Sequence, residues 1–285
     1  MKYYLYALGA ILCWASLPAA TGSGLKELST EELMFYSFSS AAIFLYVQDL
    51  LTLRTARVFI PGIKASLMGV WGIFLYHYLY YLALDNAPLA EGAILATTWS
   101  FWIVVFSSLL LFRKLKVSIV VTALVGLFGA GLVIGAGKEL SFEMSHMKGY
   151  LLALLCGLIW SSFSVGLSRV KVEKEPMTAF TLYAAILSAV LFAISMPHEM
   201  PSWQALGSAV YLGCVPLGLS FYLWNRAMTG GNIVIIGFLS YLTPPLAVLL
   251  VAVIHHQEVS GQVLLGMAVI LFASLLGRTL VRYER

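Results

Sequence analysis

Charge is what this sequence has least of. Of its 285 residues only 11% are Asp, Glu, Lys or Arg, against roughly 25% in an ordinary soluble domain. That is too little polar material to cover a water-soluble core of this size. Several catalytic signatures are missing as well. There is no Gly-rich phosphate loop ending in Lys, no H-E-x-x-H pair and no G-x-S-x-G turn. These absences speak against an ATP-driven pump, a metalloprotease and an esterase, and nothing implies a cofactor. Cysteine is scarce: Cys13, Cys156 and Cys214 are odd in number and all sit inside apolar runs. Their spacing fits no metal site, so they read as small core residues. No low-complexity segment occurs, and no linker is long enough to separate soluble domains.

What is present is apolar length. Hydrophobic residues make up 61% of the chain and come in runs of about twenty, enough for a helix to cross a bilayer. Ten spans are predicted, at 3–21, 33–53, 65–85, 90–112, 117–136, 149–169, 177–196, 204–228, 232–254 and 260–281. The net charge of +4 carries no nucleic-acid signal in such a chain; the loops that hold the charges matter. With ten spans, fourteen Lys and Arg fall on the side of the termini and only Lys26, Lys138 and Lys148 on the other. By the positive-inside rule, both termini are cytoplasmic in the inner (plasma) membrane.

The opening segment is written twice. Residues 1–16, "MKYYLYALGAILCWAS", match residues 147–162, "MKGYLLALLCGLIWSS", at nine positions. Tyr4/Tyr150, Trp14/Trp160 and Ser16/Ser162 are among the pairs, and these types are not the filler of a membrane helix. Lys2 and "LPAA" give the first copy the look of a signal peptide, but the internal copy cannot be one. Both read as retained helices. The repeat restarts at span 6, so each half holds five spans. Five is odd, so the second half enters the membrane from the opposite side. The expected fold is all-α and integral to the membrane, with ten transmembrane helices as two inverted five-helix repeats. Residues 1–137 form the first repeat, 147–285 the second and 138–146 the connecting loop. Secondary transporters use this architecture for alternating access.

Tyr222 to Val253, "YLWNRAMTGGNIVIIGFLSYLTPPLAVLLVAV", carries a W-N-x-A-x-x-x-G segment followed by S-Y-L-T-P. It resembles the EamA-type transporters of the drug/metabolite transporter superfamily. Tyr81 to Val105 sits where that family repeats the same helix pair. It departs from the pattern, with Trp99, Ser100, Phe101 and Trp102 where a helix-breaking proline is common. Within the family the chain is most similar to bacterial exporters of aromatic amino acids and related metabolites. The resemblance implies a proton- or gradient-linked carrier of small metabolites, with spans 3, 4, 8 and 9, helped by 1 and 6, around a central cavity.

Candidate residues follow from depth and spacing. In span 3, Trp71, Phe74, Tyr78, Tyr81 and Asp85 recur at steps of three and four and share one helix face. That face suits stacking on planar or cationic solutes; an interfacial belt or helix packing is the plain alternative. His77, at mid-span, is either a proton or substrate contact or a neutral histidine bonded to a backbone carbonyl. Glu91 opens span 4, as a helix cap or to attract a substrate amine at the outer mouth. Asn225 suits a short turn. Arg226 either obeys the positive-inside rule or meets a substrate carboxylate. Pro244 kinks span 9 beside Tyr241. Trp14 and Trp160 occupy matching places, as gates or cavity lining rather than lipid anchors. His255 and His256 read as interfacial. Span 1 lacks the embedded Glu of some relatives, against a two-carboxylate cation antiport.

The expected function is secondary transport, most simply export of amino acids or related metabolites, with a proton as candidate coupling ion. The cavity lining is expected from His77, Tyr78, Tyr81, Trp99, Trp102, Tyr241, Trp14 and Trp160, and gating or coupling from Glu91, Asn225, Arg226 and Pro244. Partners are the solute and the bilayer, with the chain a monomer or homodimer. Uptake of a cationic solute is the alternative, followed by a membrane enzyme on lipid-linked substrates.

Overall fold

The structure is a computed structural model and describes residues 1–54, 56–170, 174–195, 200–254 and 258–283. Lys171, Arg285, His255 and His256 therefore lie outside the described residues. Within them the chain is helical, without strands, and ten helical segments are long and apolar enough to cross a membrane. Spans 1 to 5 are Lys2–Gly24, Thr30–Leu53, Ile63–Asp85, Ala90–Phe112 and Val117–Ile134. Spans 6 to 10 are Met144–Leu167, Met177–Ile194, Trp203–Gly230, Ile233–Val253 and Gly261–Arg282. The ten expected spans are all there, with boundaries moved by a few residues.

Local chemistry sets where the spans begin. Ser29 and Glu32 form a reciprocal capping box at span 2, which satisfies two free N–H groups at the helix start. Asn232 Oδ1 accepts from the N–H of Val234 and Ile235 at the head of span 9.

The two halves carry matching irregularities. Span 3 contains a π-helical turn at Val70–Leu75, and span 8 one at Gly213–Leu219 around Pro216. Span 4 breaks between Ala96 and Trp99, and span 9 between Ser240 and Thr243. Packing repeats the symmetry. Span 1 lies along span 8 as span 6 lies along span 3, span 4 meets span 9, and spans 2 and 7, then 5 and 10, pair on the flanks. Spans 5 and 10 touch backbone to backbone: a Cβ on Gly129 would stand 3.0 Å from the Gly266 carbonyl oxygen, and one on Gly266 2.8 Å from that of Gly129. Small residues permit such approach where lipid offers no hydrophobic drive.

The break in span 4 forms without a proline. Thr97 Oγ1 donates to Ala93 O at 2.8 Å and Thr98 Oγ1 to Leu95 O at 2.7 Å. Ser161 of span 6 donates to Trp99 O at 2.9 Å. The carbonyls a broken helix leaves in an apolar medium thus find side-chain donors. Thr98 also needs space, since a Cβ on Gly157 would come within 2.5 Å of its Oγ1.

Candidate functional site

The breaks in spans 4 and 9 border a cavity of about 730 Å³. Its rim is formed by Leu25, Asp85, Lys138 and Glu258, at the span ends opposite the termini. Its walls include Thr21, Tyr76, Tyr80, Leu84, Thr97, Pro244 and Val248, and its deepest residues are Trp14, His77, Trp99, Trp160 and Phe221. The cavity therefore opens at one end of the bundle and is closed at the end bearing Lys2, Arg113 and Arg278.

Tryptophan makes the floor. The Trp14 ring lies 5.7 Å from Trp99, 5.4 Å from Trp160 and 5.0 Å from Trp224, centroid to centroid, and Trp99 lies 5.9 Å from Trp224. The first two are edge-to-face, an arrangement the ring quadrupoles favour. Each buried indole N–H needs an acceptor. Trp14 Nε1 donates to Pro216 O at 3.1 Å, and Trp224 Nε1 to Ser164 Oγ at 3.0 Å. Pro216 O, which also accepts from Ser220 Oγ, belongs to the π turn of span 8. A π turn puts the α-helical ladder out of step, and here a side chain from span 1 takes up one of its carbonyls.

The π turn of span 3 does the same for His77. Its Nδ1 lies 2.7 Å from Ile73 O. A carbonyl only accepts, so Nδ1 carries the hydrogen and Nε2 is the remaining polar atom of the ring. Around it stand Phe38, Tyr76, Tyr81, Trp160 and Phe221, with centroids at 4.7 to 6.5 Å. The site offers aromatic faces and a few hydroxyls, one imidazole, and charges only at the rim. It can hold a small, partly apolar solute.

The cavity gathers Trp14, His77, Trp99, Trp160 and Pro244 from among the expected residues, and leaves others out. Tyr78 stacks on Phe74 away from the wall. Tyr81 is fully buried beside His77. Trp71, from the same expected face, is 42% exposed on the outside and bonds Ser162. The wall of span 3 is instead Tyr76, His77, Tyr80 and Leu84. Two facts explain the offset. The π turn changes the helical phase, and aromatics occupy so many positions of span 3 that spacing cannot choose a face. Trp102 stacks on Phe106 off the cavity. Tyr241 is fully buried and donates to Ala123 O at 2.8 Å, tying span 9 to span 5.

Three of the expected gating residues also stand elsewhere. Glu91 is buried and spent on the loop between the halves. Its Oε1 accepts from the N–H of Ser141 at 2.7 Å and Phe142 at 3.1 Å, and its Oε2 from Tyr150 OH. Phe142 adopts a positive φ of 47° there, an unusual state for a bulky residue. Glu91 is therefore a strut rather than an attractor at the mouth. Asn225 and Arg226 both meet Glu175 at the closed end: Asn225 Nδ2 donates to Oε1 at 2.5 Å, and Arg226 Nε lies 3.6 Å from Oε2. Sequence reasoning passed over Glu175, since it sits in a charged loop that reads as solvated. Among the described residues no group of His, Cys, Asp and Glu is placed to hold a metal.

A long, helix-broken bundle of two matching halves around a one-sided cavity is the build of a membrane carrier. The pattern of the EamA-like transporter family matches residues 1–135 and again 147–278, and the chain belongs to that family. It is thus a multi-pass membrane transporter of small solutes, not an enzyme. Over 216 residues it is 35% identical to the aromatic amino acid exporter YddG of Ancylobacter novellus, covering 75% of each chain. It is 26% identical to the threonine/homoserine exporter RhtA of Salmonella typhimurium, over 73% of this chain and 68% of that one. A solved crystal structure superposes with a TM-score of 0.88 at 31% identity, over 98% of this chain and 99% of the other.

Proposed function

We propose that this protein exports amino acids or closely related metabolites across the inner membrane by alternating access, with both termini in the cytoplasm. The observation that carries this reading is the one-sided cavity whose floor is an indole cluster tied through Trp14 to the π turn of span 8, beside His77, which is bonded to the π turn of span 3. Rocking the two halves, here taken as 1–137 and 147–285, would open the closed end and shut the other. The charge asymmetry makes the closed end cytoplasmic, so the arrangement described is outward-open.

In this reading His77 contacts the solute or carries a coupling proton. The tryptophan floor and the Tyr76 and Tyr80 rings select apolar or planar side chains, and Pro244 shapes the wall. A second reading has support from Asp85 and Glu258 at the rim: these acids, with indole faces below, suit uptake of a cationic solute.

Flux in proteoliposomes with and without a pH gradient tests both. Export of amino acids predicts saturable amino-acid flux; the second reading predicts flux of a quaternary amine alone. If His77 is the coupling site, His77→Gln abolishes gradient dependence and leaves exchange. Undiminished gradient dependence would reduce it to a packing residue.

A further inference from the structure

The closed end holds a polar cluster that the transport reading does not use. Glu175, in the turn between spans 6 and 7, has a side chain only 10% exposed. Beside its contacts with Asn225 and Arg226 of span 8, it lies next to the Met177 N–H at the start of span 7. A second carboxylate, Asp49 of span 2, faces it and is held by Thr178 Oγ1 at 2.6 Å. Among the described residues the charged groups facing Glu175 from its neighbours are Arg226 and Asp49, and they oppose one another. Arg226 is a weak counterion: it is 46% exposed and also lies over the Tyr222 ring, so water screens the pair. Asn225 Oδ1 is buried with no hydrogen-bond partner among the described residues. A neutral carboxyl can donate to that oxygen once the amide turns over; a carboxylate cannot.

We propose that Glu175 is a proton sensor of the cytoplasmic gate, binding a proton where spans 2, 7 and 8 meet in the closed gate and releasing it when that end opens. The proposal rests on the reading that this end faces the cytoplasm and opens during transport. In the closed gate, burial pushes Glu175 up to about 7, Asp49 adds to the rise, and Asn225, Arg226 and the Met177 N–H act against it. Opening hydrates the group and returns it to the ordinary carboxylate range. The closed gate therefore binds the proton more tightly, and acid favours closure. With a midpoint near 7, the closed-to-open ratio rises about tenfold from pH 8 to pH 6 and is flat above pH 8. An acidified cytoplasm shuts the gate.

The reporter is Ser107, fully buried in the half of span 4 nearer this end. Ser107→Cys is placed in a chain whose Cys13, Cys156 and Cys214 are replaced by serine. An impermeant maleimide is added on the cytoplasmic side. Each rate is divided by that of the same chain carrying Glu175→Gln at the same pH, which removes the intrinsic pH dependence of thiols. The ratio should fall about tenfold between pH 8 and pH 6. A ratio constant with pH overturns the sensor while leaving transport intact. Asp49→Asn, which removes the facing charge, should move the midpoint to lower pH, and an unmoved midpoint counts equally against the proposal if the Gln variant does not fold. Failure to label at any pH overturns the rocking reading, and the sensor with it.

Discussion

Replacing Trp14 tests the floor. The residue is 8% exposed, touches three indoles and donates to Pro216 O. Trp14→Phe keeps an aromatic ring but removes the donor. Pro216 O still accepts from Ser220, so no buried carbonyl is orphaned, and the loss is about 1 kcal/mol. Trp14→Ala removes the ring contacts as well, each worth about 0.5–1.5 kcal/mol beyond area. Truncation of a buried Trp costs about 3–5 kcal/mol. The lower end applies here, because the hole adjoins the open cavity and can fill with water. Equilibrium unfolding in lipid–detergent micelles, followed by far-UV circular dichroism, measures both. Trp14→Ala should also leak solute passively through vesicles, whereas Trp14→Phe should not. Equal stabilities for the two variants, within about 0.5 kcal/mol, would refute the claim that the indole cluster holds the floor together.

Further outcomes follow from other contacts. Gly157→Ala forces a methyl against Thr98 Oγ1 at 2.5 Å and should destabilise the fold by about 1–3 kcal/mol, read by the same unfolding assay. Glu91→Gln weakens charge-assisted bonds to the 141–142 turn, each worth about 1.5–3 kcal/mol. Proteolysis within 138–146 should accelerate, and unchanged cleavage would show that the strut carries no load. For topology, cysteines at the exposed Met144 and Val117 should label from outside and only from inside, respectively; the reverse pattern would invert the orientation.

Much of this architecture was legible in the residues because it depends on coarse physics. Twenty-residue apolar runs need bilayer thickness, and the doubled segment at Met1 and Met147 marks the repeat. The break in span 9 was visible as Pro244-Pro245. Its counterpart in span 4 was not, because Thr97, Thr98 and Ser161 supply there what proline usually announces, and one of the three lies on another span. The cavity face of span 3 was misjudged for a related reason. A π turn leaves no clear sequence signal, and Tyr76, Tyr78, Tyr80 and Tyr81 satisfy several helix faces at once. Trp14 and Trp160 were accessible as a matched pair at mid-span depth. Phe221 on the floor and Trp224 packed behind it were not singled out, since neither pairs with a repeat partner in the opening segment. Glu175 was hidden in a loop of mixed charge, where only the chain's return past Asn225 takes it out of water.

The most direct measurement is solute flux in proteoliposomes with labelled aromatic and aliphatic amino acids and one quaternary amine. The account predicts saturable amino-acid flux, with a raised KM when Trp160 on the cavity floor is replaced by leucine. Flux of the amine alone, or amino-acid flux indifferent to Trp160, would contradict it.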